Sequence, residues 1–255
     1  MLSAERYEKI KAYMYENKYA NINELAVLFD ASVPTIRRCL KQLEKENIVE
    51  SVRGGAVLHS SDKTIFEQPY QVKKQQNADE KSRIAAEACK YIQSNSSIFL
   101  DSSTTVYGMI PFMQGFKSLS ICTNDVTVAG TLTSKYNYTV MVVGGILRSG
   151  YYTLTGNFAE KMMCQFHMDC AFMGSDTISE TGNFMITNAE EMGIKRAAFQ
   201  NSSKRIMLCD HSKFDRDAFV NLWDFEQVDM VITGRELEDE RYDFYTELGL
   251  KIVRV

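Results

Sequence analysis

The spacing of apolar residues over the first sixty positions predicts three short helices, each with one buried face. The first helix carries apolar residues at intervals of three and four, namely Tyr7, Ile10, Tyr13 and Met14. The second is expected to begin near Asn23 and to bury Leu25, Leu28 and Phe29. The third follows Ser32, whose hydroxyl can cap it, and buries Ile36, Leu40 and Leu43. Because only about three residues connect the last two helices, the segment predicts a helix-turn-helix.

The solvent-facing side of the third predicted helix is basic. Arg37 and Lys41 lie four residues apart, and Arg38 lies three residues from Thr35, so these side chains project toward solvent together. A helix fits the major groove of DNA, where arginine binds guanine edges or neutralises phosphates. The segment IVESVRGGAVL then predicts a β-hairpin wing with Arg53 at its tip. For an arginine pair taken alone, a solvated charged helix is the alternative interpretation.

Beyond residue 80, short apolar runs rich in β-branched residues alternate with helical patterns. The runs are SSIFLD, SLSICTN, YTVMVVGG, DCAFMGS, RIMLCD, VDMVITG and LKIVRV. This alternation predicts an α/β domain with a mainly parallel sheet covered by helices on both faces. The polar stretch 59–80 lacks a sustained period and contains Pro69, so it predicts a linker. We therefore expect a winged helix-turn-helix over 1–58, the linker over 59–80 and the α/β domain over 81–255.

Small and polar residues gather where the predicted strands end. These residues are Asp101-Ser102-Ser103-Thr104-Thr105, Thr123-Asn124, Gly144-Gly145, Gly174-Ser175-Asp176, Asp210 and Gly234. Ligands of α/β sheets bind at the carboxyl ends of the strands. Hydroxyls and free amides at the start of a helix favour a phosphate there. For the run DSSTT alone, turns and helix caps are the alternative interpretation.

Composition and charge narrow the class of protein. The chain has 255 residues, of which 45% are hydrophobic and 24% charged, as in globular proteins of one large or two unequal domains. It has no apolar run of about 20 residues and no signal peptide at its start, so we expect a cytoplasmic protein without a membrane partner. Six cysteines without close pairing indicate reduced thiols. The net charge of −4 hides a slight basic excess in residues 1–60, which permits a DNA-facing end.

These motifs together resemble the DeoR family of bacterial transcription regulators. The family's TIRRDL recognition helix and HGGA segment correspond to Thr35-Ile36-Arg37-Arg38-Cys39-Leu40 and Arg53-Gly54-Gly55-Ala56. Cys39 replaces the usual Asp, and Arg53 replaces the usual His. The strand ends, with Asp210-His211-Ser212-Lys213-Phe214, resemble the family's sensor domain. That domain is related in fold to ribose-phosphate isomerases and senses phosphorylated sugars.

The resemblance implies a repressor of a carbohydrate-metabolism operon that binds double-stranded operator DNA, under the control of a phosphorylated sugar. We expect a homo-oligomer, a dimer or tetramer, because single helix-turn-helix heads usually act in pairs. The DNA-contacting residues would be Ser32, Thr35, Arg37, Arg38, Lys41 and Arg53. The effector-contacting residues would be Asp101, Ser102, Ser103, Thr104, Thr105, Asn124, Gly145, Glu191, Lys195 and Lys213.

Three features of the predicted effector site leave alternatives open. Glu191 and Lys195 match the family's Glu-Ala-x-x-Lys pattern, but a surface ion pair explains them equally well. Ser103 stands where the family usually has Gly, and Gly234 stands where it usually has Asp. The pocket would therefore accept an unusual effector, or none.

Two other functions are weaker hypotheses. Asp101, Glu191 and Lys195 offer an acid–base set for a sugar-phosphate isomerase, but an attached helix-turn-helix has no role in such an enzyme. Cys164, His167 and Cys170 lie at intervals of three, yet a fourth ligand is not evident and structural zinc takes four. We therefore expect no enzymatic activity, no cofactor and no metal.

Overall fold

The computed structural model of the chain describes residues 3–46, 48–58, 67–68 and 70–255. The chain divides into two compact units, Met1–Gln76 and Asn77–Val255. Among the described residues, one cluster of buried apolar side chains lies in the first unit and two lie in the second. In the described parts of the chain, no helix is both long enough and apolar enough to span a bilayer.

The first unit combines helices with a small antiparallel sheet. Its helices are α1 (Ser3–Asn17), α2 (Ile22–Leu28), α3 (Val33–Lys45) and α4 (Tyr70–Gln75). Its strands are β1 (Tyr19–Asn21), β2 (Val49–Val52) and β3 (Gly55–Leu58), which pair in the order β1-β3-β2. The core contains the fully buried side chains of Ile10, Met14, Leu25, Ile36 and Leu43. The predicted winged helix-turn-helix is confirmed, with β2 and β3 as its wing.

Some details of the predicted helices α2 and α3 are wrong. Helix α2 begins at Ile22, because Asn21 caps it by accepting a 2.8 Å hydrogen bond from the amide of Asn23. Leu28, expected in the core, is 58% exposed, since Leu25 and Phe29 define the buried face and Leu28 falls beside it. The hydroxyl of Ser32 does not cap α3 but lies 2.9 Å from the hydroxyl of Thr35.

The second unit is built around a seven-stranded parallel sheet. The strands of the whole unit are β4 (Ser97–Leu100), β5 (Ser120–Thr123), β6 (Thr139–Val142), β7 (Ile146–Leu147), β8 (Leu154–Thr155), β9 (Met168–Met173), β10 (Thr177–Ile178), β11 (Phe184–Ile186), β12 (Ser202–Leu208), β13 (Val220–Trp223), β14 (Met230–Thr233) and β15 (Ile252–Arg254). The large sheet has the order β15-β14-β12-β9-β4-β5-β6 and is parallel throughout. Its seven strands are the seven predicted from the apolar runs, so the α/β fold is confirmed.

Helices cover both faces of this sheet. They are α5 (Ala78–Cys89), α6 (Thr104–Tyr107), α7 (Val126–Lys135), α8 (Asn157–Met163), α9 (Met192–Gln200) and α10 (Asp239–Leu248). Successive strand residues enter opposite cores: Ile98 and Leu100 pack with α5 and α7, whereas Phe99 packs with α8 and α9. Burial on both faces explains why the strand sequences are continuously apolar.

Several short elements were not predicted. Strands β7 and β8 form an antiparallel hairpin, and β10, β11 and β13 form a small antiparallel sheet. Strands β7, β8 and β10 have two residues each and β11 has three, which are too few to show a period. The predicted linker 59–80 contains α4 and the first turn of α5, while its residues 59–66 and 69 lie outside the described residues. The first three residues of α5, at positions 78–80, were assigned to the linker because they continue its polar run, although Glu80 is buried.

Candidate functional site

The basic side of α3 faces solvent. Arg37, Arg38 and Lys41 are exposed, while Ile36 and Leu40 of the same helix are buried in the core. None of the three cations has an ion-pair partner among the residues that the structure describes. Their charges are therefore available to an external anion such as a nucleic-acid backbone.

The other predicted DNA-contacting residues flank this basic surface in the sequence. Ser32 is exposed and Thr35 is half-buried, both at the start of α3. Arg53 is exposed in the turn between β2 and β3. Cys39, which replaces the family's Asp, is 8% exposed and belongs to the core of the unit. Its thiol is thus accommodated in the core and leaves no carboxylate beside the arginines.

In the second unit, the carboxyl ends of the central strands lie at one edge of the sheet. Leu100 at the end of β4 is in register with Thr123 on β5 and with Phe172 on β9. The residues that follow, Asp101 and Asn124, are therefore neighbours at this edge. The structure thus brings together strand ends that are far apart in the sequence.

Asp101 and Lys195 form an ion pair that is almost completely buried. Oδ2 of Asp101 accepts hydrogen bonds from Nζ of Lys195 and, at 3.0 Å, from the amide of Gly174. Nζ of Lys195 also donates to the carbonyl oxygen of Gly174 at 3.2 Å. Burial lowers the pKa of Lys195, but the negative charges of Asp101 and Glu191 outweigh it, so the pKa lies above its ordinary value. The lysine is therefore held as a cation.

Glu191 is also buried, and its carboxylate forms an ion pair with the guanidinium of Arg148. The interpretation of Glu191 and Lys195 as a surface ion pair is therefore wrong, since neither residue lies at the surface. Arg148 was not predicted from the sequence, because it lies 43 residues before Glu191 and belongs to no recognised motif.

At the ends of the central strands β4 and β5, two buried side chains have polar atoms without a partner among the described residues. Asn124 is fully buried, and neither Oδ1 nor Nδ2 of its amide bonds to any described residue. Oδ1 of Asp101 is equally without a partner among those residues. Buried polar groups are nearly always hydrogen-bonded, so unpaired ones at a strand end indicate a ligand position.

The four residues of the predicted phosphate loop are not equivalent. The hydroxyl of Ser102 donates to Oδ2 of Asp125 at 3.2 Å and is also hydrogen-bonded to the hydroxyl of Thr153. Thr105 is buried within the short helix α6, whereas Ser103 and Thr104 at its start are half-buried. Ser103 and Thr104 therefore remain the better placed to meet a ligand.

Lys213 lies in a charged cluster that follows β12. The fully buried Asp210 accepts a 2.9 Å hydrogen bond from Asn77, and Nζ of Lys81 lies 3.7 Å from it. Burial raises the pKa of Asp210, but the charges of Lys213 and Lys81 lower it by more. Lys81 is a buried cation that was not predicted as part of the site, since it lies on α5 and belongs to none of the predicted strand ends.

The two glycines at strand ends serve close packing. A Cβ on Gly145 would lie 2.5 Å from the carbonyl oxygen of Thr155, so Gly145 permits the β7–β8 pairing. A Cβ on Gly234 would lie 2.3 Å from Cγ of Glu80, whose carboxylate accepts two 2.7 Å hydrogen bonds from His211. Glu80 thus occupies the space that the family's usual aspartate at position 234 would need.

Gly234→Ala is therefore expected to destabilise the protein by about 1–3 kcal/mol, the usual cost of overpacking. Urea denaturation of the full chain measures this difference. Gly144→Ala is the matched control, because a Cβ on Gly144 meets nothing within 4 Å. Equal unfolding free energies for the two variants would contradict the packing of Glu80 against Gly234.

One group of possible metal ligands is engaged in hydrogen bonds and an ion pair with the protein's own side chains. Glu80, Asp210 and His211 place one ligand atom each within 4.8 Å of one another. The carboxylate of Glu80 is bonded to His211, however, and that of Asp210 faces the ammonium of Lys81. The ligand atoms of this group are therefore already in contact with the protein's own side chains.

The residues considered for zinc are not arranged as a ligand set. Cys164 is exposed, whereas Cys170 is buried on β9. Nε2 of His167 lies 2.8 Å from the hydroxyl of Ser203. These residues fit ordinary thiols and a histidine that is hydrogen-bonded to a neighbouring strand.

Comparison with known proteins agrees with both halves of this description. A family model for the DeoR-like helix-turn-helix domain matches residues 6–62, and one for the DeoR C-terminal sensor domain matches residues 76–235. The glycerol-3-phosphate regulon repressor of Escherichia coli (strain K12) is 32% identical over 233 residues, which cover 91% of each chain. The transcriptional regulator GolR of Listeria innocua is 28% identical over 252 residues, covering 99% of this chain and 98% of that one.

Among solved structures, ribose 5-phosphate isomerase A from Methanocaldococcus jannaschii is similar, with a TM-score of 0.41 and 16% identity. The similarity covers 54% of this chain and 55% of the isomerase. The assignment rests instead on the two family models and on relatives that are regulators of transcription, not enzymes. The chain belongs to the DeoR family and is a DNA-binding transcriptional regulator.

Proposed function

We propose that this regulator is a cytoplasmic repressor of a carbohydrate-metabolism operon, whose affinity for operator DNA is controlled by a phosphorylated sugar. The basic side of α3, with Arg53 of the wing, reads the operator. The sugar binds at the strand ends around Asp101 and Asn124. A homo-oligomer would present helix-turn-helix heads to half-sites about one helical turn apart.

The observation that carries the effector proposal is the unpaired buried amide of Asn124 beside the unpaired Oδ1 of Asp101. Together these atoms offer two acceptors and one donor, which suits the hydroxyl groups of a polyol or sugar. A relative with 91% coverage is named for the glycerol-3-phosphate regulon, which supports a small phosphorylated compound. Ser103, Thr104 and Lys213 are then the candidates for its phosphate, as the family resemblance implies.

Control of DNA binding requires two states of the protein with unequal affinity for the effector. A ligand can shift an equilibrium only by its difference in affinity for the two states. By linkage, an effector that weakens operator binding must itself bind less tightly to the operator complex. The proposal therefore predicts reciprocal effects of the DNA and the effector.

Fluorescence anisotropy tests both halves of the proposal. The protein is titrated onto labelled DNA from upstream of its own gene at low and high salt. Glycerol 3-phosphate, ribose 5-phosphate and other sugar phosphates are then added to the complex. Salt-sensitive binding that one compound releases is the expected result. Binding without preference over random DNA would contradict the operator assignment, and a complex that no compound disturbs would contradict the effector assignment.

Asn124→Leu separates a ligand contact from a structural role. Leucine has a similar size to asparagine and lacks the unpaired amide. The free energy of unfolding of the variant is therefore expected to equal or exceed that of the wild type. Operator affinity should be unchanged, while release by the active sugar phosphate is lost. Urea denaturation and anisotropy measure the two effects. A less stable variant that still responds to the sugar phosphate would show that the amide serves the fold.

A further inference from the structure

The β7–β8 hairpin, residues 146–155, is hydrogen-bonded to the strand ends that form the proposed effector pocket. The amide of Leu154 donates to the carbonyl oxygen of Asn124 at 2.7 Å, and the amide of Val126 donates to that of Tyr152 at 3.1 Å. These bonds extend the edge of the pocket from β5 into the hairpin. The backbone that carries the unpaired Asn124 amide is thus held from outside the large sheet.

A second contact between the hairpin and the pocket is made by Thr153. Its hydroxyl is hydrogen-bonded to that of Ser102, the first residue of the predicted phosphate loop. The Ser102 hydroxyl also donates to Asp125, whose carboxylate caps α7 by accepting from the amides of Thr127 and Val128. Thr153 is 1% exposed, so this contact is shielded from water. The hairpin therefore sets the position of the phosphate loop as well as that of Asn124.

The third contact between the hairpin and the pocket is made by the side chain of Arg148. Its guanidinium pairs with the carboxylate of Glu191, lies 3.5 Å from that of Glu190, and stacks at 4.4 Å on the ring of Tyr151. The backbone of Arg148 is fixed too, since its amide donates to the carbonyl oxygen of Thr153 at 2.8 Å. One hairpin thus contacts three residues that were predicted from the sequence to meet the effector: Ser102, Asn124 and Glu191.

We propose that the hairpin is the positioning element of the effector pocket and that Arg148 and Thr153 are its positioning residues. The inference rests on the proposed function of that pocket. Arg148 neutralises Glu191, which leaves the ammonium of Lys195 to Asp101. Without Arg148, the buried carboxylate of Glu191 competes for Lys195 and draws it from Asp101. The carboxylate of Asp101 then loses the orientation that presents Oδ1 to a sugar hydroxyl.

Substitution of Arg148 tests this inference on the full-length protein. With the sugar phosphate that releases the wild type, Arg148→Met should bind about tenfold or more weakly, because the buried carboxylate of Glu191 loses the guanidinium that pairs with it. Arg148→Lys keeps the charge and should restore most of the affinity. Arg216→Met, at an exposed arginine elsewhere in the unit, is the matched control and should bind normally. Calorimetry measures effector affinity, and anisotropy checks that operator affinity is unchanged.

Thr153 provides the second test if Arg148→Met fails to fold. Thr153→Val removes the hydroxyl that bonds to Ser102 and should weaken effector binding, whereas Thr153→Ser keeps the hydroxyl and should not. If both Arg148→Met and Thr153→Val bind the effector with wild-type affinity, the hairpin inference is overturned while the effector proposal stands. The same holds if Arg148→Met does not fold and Thr153→Val binds with wild-type affinity. A wild-type protein that binds none of the sugar phosphates would overturn the effector proposal and this inference together.

Discussion

Replacing both Arg37 and Arg38 by alanine is expected to weaken operator binding by about 2–6 kcal/mol, at roughly 1–3 kcal/mol for each good base contact. Both side chains are exposed on α3, opposite the buried Ile36 and Leu40. They have no ion-pair partner among the described residues, so their removal leaves the core of the unit untouched. The loss should therefore appear in binding and leave the thermal unfolding curve unchanged.

Anisotropy over a range of salt concentrations separates the two kinds of arginine contact. A residue that neutralises a phosphate lowers the salt slope by about one when removed and weakens all DNA sequences alike. A residue that reads a base relaxes specificity at one operator position. Lys45→Ala is the matched control, because Lys45 is an exposed cation in the last turn of the same helix. An Arg37 and Arg38 double variant with wild-type affinity would rule out α3 as the reading helix.

The elements predicted well from sequence are those with an uninterrupted apolar run or a clear helical period. In the central strand β4, for example, Ile98 and Phe99 enter different cores, and such apolar runs stand out against polar surroundings. The basic side of α3 was visible for the same reason, since Arg37 and Lys41 alternate with the buried Ile36 and Leu40.

The parts of the site that escaped prediction depend on contacts between distant residues. Lys195 lies 94 residues after Asp101, and the two meet only when α9 packs beside the end of β4. The pattern could therefore suggest that Glu191 and Lys195 share a helix face but could not give their partners. The buried charge of Glu80 likewise made the first residues of α5 resemble the polar linker before them.

Asp101→Ala is expected to destabilise the protein by about 3–5 kcal/mol, as when one partner of a buried ion pair is removed. The ammonium of Lys195, 3% exposed, would be left without its carboxylate, and the amide of Gly174 would lose its acceptor. This variant therefore cannot serve as a clean test of effector binding, although the sequence motif alone suggests it. Urea denaturation measures this loss of unfolding free energy. Asp125→Asn, at a buried carboxylate of the neighbouring strand end, is the matched control.

A double-mutant cycle decides whether this loss of stability comes from leaving the buried Lys195 without its carboxylate. Lys195→Met together with Asp101→Leu removes both charges and replaces them with apolar side chains, which is often neutral for a buried pair. With Asp101→Leu and Lys195→Met as the single variants of the cycle, the double variant should be more stable than Asp101→Leu alone, and the two sites should show a strong coupling energy. Its effector response should still be absent, because Oδ1 of Asp101 is gone. Additive effects of the two substitutions would mean that Asp101 supports the fold through Gly174 and not through its ion pair with Lys195.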